Sequence, residues 1–321
     1  MRSNTILASS ALFVTYAAQA SPLFERWGNE TTANSTSFSN TTSTTPNATQ
    51  ILQFALTLEH LESTFYSEAL SKFNETDFTN AGLPSYAYGR FKQIGEHEAE
   101  HVAFLTEVLG NESVSACNYS FPYTDPYSFA ALSEMLESVG TSAYIGGAKY
   151  LASNPEALTA AGAILSTEAR HATWVESVIF KGSPWSGPFD TPLDGNLVYT
   201  LAANFITSCP STNPTLPFTA FPSLTITNLT GGNSSDSFTP GSQVNLTYNN
   251  TSSSNSTQYL AFFHGLNTTV VDITSNQATI PSELQGLVFA VVTTNNTDVE
   301  DSNIVAGPAA LNLGLNATAS N

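Results

Sequence analysis

Two short stretches, Glu98-Ala-Glu-His101 and Glu168-Ala-Arg-His171, each set a carboxylate and an imidazole three residues apart. On a helix that spacing puts both side chains on one face, where they can converge on a point in a bundle core. Binding of a metal ion through oxygen and nitrogen is the chemistry such a pair serves. The chain has only five histidines. Two copies of the pair, each inside a strongly helical segment, therefore need a common explanation.

Two further carboxylates complete the pattern. Glu59 is followed by Tyr66, and Glu137 by Tyr144, each about two helical turns along the same face. The region thus reads as two helix pairs, each supplying a lone Glu and then Glu-x-x-His. Glu59, Glu98, His101, Glu137, Glu168 and His171 make the ligand set of a dinuclear carboxylate bundle, with Glu98 and Glu168 as the natural bridges. Four ionised carboxylates without counterions would repel one another and resist desolvation, whereas two divalent cations neutralise them. Oxygen-rich ligation with two imidazoles and no thiolate suits two iron or manganese ions better than copper or a structural zinc site.

Neighbouring residues leave alternatives open. Tyr66 and Tyr144 either hydrogen-bond the ligand carboxylates or are ordinary amphipathic core tyrosines. Glu62, one turn from Glu59, approaches the site. Because Glu59-His-Leu-Glu62-Ser resembles Glu134-Met-Leu-Glu137-Ser, a second register would pair Glu59 with Glu134, but the shared Glu/Tyr spacing favours Glu137. His60, His97, Glu100 and His264 are expected outside the site. The plainer reading puts the carboxylates on solvated helix faces; the Phe, Ile, Leu and Val that share their stripes argue against it.

Helices must position these residues. Apolar periodicity runs from Ile51 to Ala69, then from Ser85 to Leu109 along Phe91, Ile94, Leu105 and Val108, stopping at Gly110. Asn74 to Leu83 reads as a loop. Asp125-Pro126 and Asn154-Pro155 each pair an N-cap with a proline at the first helical position and open the third and fourth helices. The third has small inward residues, including Ser133, Gly140 and Thr141; the fourth carries Leu158, Ala161, Leu165, Val175 and Val178. Leu197 to Ile206 reads as a shorter fifth helix. The expected organisation is a helical bundle over 50–209, a proline-marked linker at 210–217 and a smaller all-β domain over 218–321. The short β-rich runs of that last domain, separated by Gly, Pro, Asn and Ser clusters, predict an immunoglobulin-like sandwich.

Composition bounds the setting. Charged residues are only 11% of the 321, less than half the common share of about 25%. Abundant Asn-x-Ser/Thr sequons, among them Asn29, Asn34, Asn40, Asn47, Asn74, Asn111 and Asn118, supply polarity another way and point to a glycoprotein. Arg2, an apolar run and Ala18-Gln-Ala20 predict a signal peptide over 1–20, followed by a disordered, glycosylated Ser/Thr/Asn-rich leader over 21–49. The expected location is secreted, extracellular or in a cell wall. In an oxidising compartment Cys117 and Cys209 are expected to form a disulfide worth about 4 kcal/mol, two separate buried thiols being the alternative. A net charge of −18 argues against nucleic acid and anionic membranes as partners.

The stretches Phe54-Ala-Leu-Thr-Leu-Glu-His-Leu-Glu-Ser-Thr-Phe-Tyr66, Glu98-Ala-Glu-His101, Leu136-Glu-Ser-Val-Gly-Thr-Ser-Ala-Tyr144 and Glu168-Ala-Arg-His171 together resemble a secreted ferritin-like family. That family includes fungal stress-response and plant desiccation-related proteins, and the resemblance covers roughly Thr49 to Ser208. It implies a mainly α ferritin-like four-helix bundle that binds iron, and it supplies no substrate. Two functions compete. The first is dinuclear redox chemistry on dioxygen or peroxide in a stress response. The second is a non-enzymatic stress, desiccation or cell-wall glycoprotein with a structural or vestigial metal site, for which cell-wall polysaccharide is a candidate partner. A storage cage is disfavoured, because the β domain and dense glycans would obstruct its assembly.

Overall fold

The structure, a computed structural model, describes residues 45–229, 238–249 and 256–313. The expected signal peptide and nearly all of the leader lie outside these residues, as do the sequons at Asn29, Asn34, Asn40, Asn233, Asn250, Asn255 and Asn316.

Helix α1 spans Ala48–Lys72 and starts at a reciprocal capping box. Asn47 accepts from the Gln50 N–H at 2.9 Å, and Gln50 accepts from the Asn47 N–H at 3.0 Å. The stretch read as a loop contains a second, short helix, α2 (Glu75–Asn80). Asn74, which looked like a loop signal, caps it, Asp77 completes its capping box, and Phe78 anchors it in the core. Helix α3 (Ala87–Leu109) ends at Gly110, whose positive φ of 54° suits a glycine. After strand β1 (Asn118–Tyr119), helix α4 (Pro126–Gly147) opens on Asp125, which accepts from the Tyr127 and Ser128 N–H groups. Helix α5 (Pro155–Trp174) continues into a π turn at Val175–Ile179.

The expected fifth helix is shorter at its C-terminal end than its apolar run. Helix α6 stops at Ala203 (Gly195–Ala203), and the end of the run forms strand β2 (Ile206–Ser208), which pairs antiparallel with β1. The Cys117–Cys209 disulfide flanks this two-stranded ladder. The ladder satisfies backbone groups of two segments distant in sequence.

Helices α1 and α3 pack against each other, as do α4 and α5, and α1 meets α4 to join the pairs. One end of the bundle is closed by rings: Phe65, Phe91 and Phe129 are fully buried, with Phe129 4.9 Å from each of the other two. The buried stripes depart in part from the expected ones. Val108 and Leu158 are exposed while Leu109 and Ala157 are buried, and Ile164 rather than Leu165 faces the core. Both helices are apolar over more than one face, so periodicity alone left two choices.

The C-terminal region is antiparallel β. Strands β3 (Leu224–Asn228), β4 (Gln243–Tyr248), β5 (Tyr259–His264), β6 (Asn267–Asp272), β7 (Gln277–Thr279), β8 (Gly286–Thr293) and β9 (Ile304–Leu313) form two sheets, ordered β3-β4-β7 and β6-β5-β8-β9. Strand β7 is too short to have been read from the sequence. Leu260, Phe262, Val288 and Ala290 point into the sandwich, whereas Ala261, Phe289 and Val291 join the helical core. Alternate residues of β5 and β8 are therefore buried on opposite faces, which is why these strands are almost continuously apolar. No helix among the described residues is long and apolar enough to cross a membrane.

Candidate metal centre

The four long helices bring all six of the candidate ligands together. Glu59 comes from α1, Glu98 and His101 from α3, Glu137 from α4, and Glu168 and His171 from α5. They form two overlapping clusters, Glu59/Glu98/His101/Glu168 and Glu98/Glu137/His171; within each, one oxygen or nitrogen per residue lies within 4.8 Å of the others. Glu98 belongs to both. The carboxylates are almost completely buried, Glu98, Glu137 and Glu168 at 0% exposure.

Each histidine presents Nδ1 to the carboxylates. His101 Nδ1 lies 3.0 Å from Glu98 Oε2 and 3.2 Å from Glu59 Oε2. His171 Nδ1 is hydrogen-bonded to Glu137 Oε2 at 3.0 Å. It also lies 3.2 Å from Glu98 Oε1, as an ion-pair distance without hydrogen-bond alignment, so that Glu98 Oε1 has no donor. The far nitrogen, His171 Nε2, meets His97 Nδ1 at 2.9 Å, and the two rings stack. His97, expected outside the site, thus touches it from behind. Its position next to Glu98 gave no signal of this, because the contact is made to another helix.

The tyrosines reach across rather than along. Tyr66 of α1 donates to Glu137 of α4 at 2.5 Å and also meets Ser133 Oγ at 2.7 Å; Tyr144 of α4 donates to Glu59 of α1 at 2.5 Å. Burial raises both phenols well above their ordinary range, and the nearby glutamates add to the shift, so both stay protonated donors. Glu134 lies in a separate cleft with Glu176 and the loop around Trp185. His60 is bonded to the Val114 carbonyl, His264 to Thr269, and Glu100 is exposed.

Glu62 joins the buried group, 3% exposed, so five carboxylates face two imidazoles. Burial, then Glu137, Glu98 and Glu59, hold the Glu62 carboxyl well above its usual range; burial, then Glu62 and the remaining three, do the same to Glu168. Burial alone would lower the histidines. Hydrogen bonds and attraction from Glu59 and Glu98 outweigh it at His101, pushing it up to about 10, and Glu137 and Glu98 push His171 up to about 9.

The residues fit a cation pair on two observations. First, Glu62 Oε2, Glu98 Oε1 and both Glu168 oxygens are buried with no hydrogen-bond donor. Unpaired buried carboxylate oxygens are costly, and cations between them would remove that cost. Second, space is reserved for the carboxylates: a Cβ on Gly140 would sit 2.5 Å from Glu168 Oε2 and 3.2 Å from Glu62 Oε1. Gly140 stood out in the sequence only as one of several small residues.

Comparison with known proteins agrees with this architecture. Residues 47–181 match the family model described as a ferritin-like domain. The chain is also 27% identical over 191 residues to Protein rds1 of Schizosaccharomyces pombe, an alignment that takes in 57% of this chain and 46% of that protein. The match thus spans less than half the length of that relative. With four long helices carrying a buried carboxylate and histidine cluster, the helical region of this chain is similar in architecture to a ferritin-like domain.

Proposed function

We propose that the protein is a secreted ferritin-like protein whose centre holds two iron or manganese ions and reduces dioxygen or peroxide in a stress response. The observation that carries this reading is the convergence of donor-free, buried carboxylate oxygens on two Nδ1 atoms at the middle of the bundle. Glu59, Glu98, His101 and Glu168 would hold one ion and Glu98, Glu137 and His171 the other. When bound, such a pair supplies coupled one-electron changes to an O–O bond.

The protein's own residues set the conditions for that chemistry. Glu98, present in both clusters, ties the two positions together. Tyr66 and Tyr144 fix one oxygen each of Glu137 and Glu59, leaving the second oxygen of each turned toward a histidine. His97 holds the far nitrogen of His171 and so orients that ring. The Phe65, Phe91 and Phe129 rings keep water from one end of the bundle.

Metal analysis of the purified protein tests the reading: close to two iron or manganese ions per chain are expected, and Glu98→Ala should lose both. No bound iron or manganese after reconstitution would overturn it. Full burial of Glu98, Glu137 and Glu168 favours a second reading, a non-enzymatic stress or cell-wall glycoprotein with a structural metal site. Peroxide or dioxygen turnover that Glu98→Ala abolishes separates the first from the second.

A further inference from the structure

A cavity of about 270 Å³, open on one side, lies between the bundle helices, α6 and Phe218, and reaches Tyr144, which is bonded to Glu59 of the centre. Its wall is hydrocarbon: Leu58 and Phe54 from α1, Leu105 from α3, Ala161 and Ile164 from α5, and Phe218 from the segment before β3. Tyr144 also lines it, and the Tyr144 hydroxyl is the donor that holds Glu59. Exposed Phe104 and Val108 stand on its rim, two large apolar side chains kept at the surface on one flank of α3. An open depression reaching His101 shares Phe104, Glu156 and Ile164 with the cavity, so the two adjoin.

The wall also selects for charge. It carries no lysine, arginine or histidine, and its one ionisable acid, Glu156, is exposed at the mouth. A carboxylate or phosphate headgroup would meet repulsion there and find no cationic partner within, the other polar side chains being Tyr144, Tyr150 and Asn154. A cation would gain little from an exposed carboxylate. Volume fixes the size: a cavity of about 150 Å³ holds benzene, so this one accommodates about ten heavy atoms.

We propose that this cavity binds an uncharged, largely hydrocarbon molecule of about ten heavy atoms, such as a medium-chain alcohol or a small terpenoid, with one end against Tyr144. The binding site stands on the geometry alone. Calling its occupant a substrate rests on the metal-centre reading above, for which it supplies the substrate class.

The test is calorimetric titration of the full chain with decanol, decanoate and decylamine, with metal content measured on the same samples. Decanol should bind at one per chain, and decanoate and decylamine at least tenfold more weakly. From hexanol to decanol, affinity should rise about fourfold per methylene and then level off as the cavity fills. Ala161→Phe, which fills the cavity, should cost at least tenfold in decanol affinity without changing metal content. Should that variant fold poorly, the chain-length series needs no substitution. Glu156→Lys, a surface change, should bring decanoate binding close to that of decanol. No decanol binding, affinity still climbing through hexadecanol, or decanoate or decylamine binding as well as decanol would overturn the proposal. Failure of the metal reading would show separately, as absent iron and manganese in samples that still bind decanol.

Discussion

Aligned so that Glu59 falls on Glu137 and Glu98 on Glu168, the α1/α3 pair and the α4/α5 pair also match Tyr66 with Tyr144 and His101 with His171. They differ where Glu62 meets Gly140, Leu56 meets Glu134, and His97 meets Thr167. The matched residues build a near-symmetric centre in which each half braces the other, since each tyrosine holds the opposite half's glutamate. The mismatched residues give the centre a direction. Glu62 enters the space that Gly140 leaves free, adding a fifth carboxylate from one side only. His97 covers His171, whereas its counterpart Thr167 is small and lines the open depression at His101. One histidine is backed by another ring, and the other faces the way in. A repeated pattern thus supplies the ligands, and departures from the repeat make the surroundings of the two histidines unlike.

The largest effect is expected from filling the space that Gly140 leaves for Glu168 and Glu62. In Gly140→Ala the new methyl group would overlap Glu168, so metal content should fall below one ion per chain and stability by about 1–3 kcal/mol. Metal analysis beside chemical unfolding checks both. The Leu56/Glu134 difference predicts a pH effect. Burial, with Glu176 nearby, pushes the Glu134 carboxyl up from 4.5 to about 7. A raised carboxyl value means the folded state holds its proton more tightly. This contribution is complete below pH 4.5 and is lost as pH rises to about 7. Glu134→Leu should remove that slope and leave the protein more stable at pH 8, by ~3 kcal/mol at most. Unfolding curves across this range decide the matter; parallel slopes in wild type and variant would contradict it.

A smaller change is expected from Glu62→Gln in metal-stripped protein. Because the Glu62 value is also raised, stripped wild type should weaken as pH climbs above the ordinary carboxylate range, and the amide should weaken less. The variant should gain about 1–2 kcal/mol at pH 8, a gain that added metal reduces. The smallest effect tests the matched pair. Tyr66→Phe and Tyr144→Phe each remove a donor from a buried carboxylate, at about 1.5 kcal/mol. Tyr66→Phe should cost more, because Tyr66 is fully buried and also bonded to Ser133, while Tyr144 borders a cavity. Equal losses in thermal unfolding would show that the two halves are energetically alike.

Much of this was legible in the chain. The two Glu-x-x-His pairs and the Glu59/Tyr66 and Glu137/Tyr144 spacings indicated that six side chains would meet, because helical spacing is rigid enough to aim side chains. The helical region, the antiparallel β region and the Cys117–Cys209 disulfide were readable in the same way. What could not be read was whatever depends on a second helix. The spacing of Tyr66 says which face it occupies, but not that its hydroxyl crosses to Glu137. His97 sits beside Glu98 in sequence and acts on His171, which only packing determines. Helix α2 and strand β7 were missed because so few residues carry too weak a pattern.

The disulfide described with β1 and β2 has a further meaning when the chain is traced as a covalent path. Cys117 and Cys209 close a ring that contains all of α4, α5 and α6. Glu137, Glu168 and His171 lie on that ring; Glu59, Glu98 and His101 lie on the thread that enters it. A single backbone cut in the exposed Trp185 loop would open the ring without dividing the molecule: all six residues of the centre stay on the N-terminal fragment, and the sulfur bridge keeps α6 and the β region attached to it.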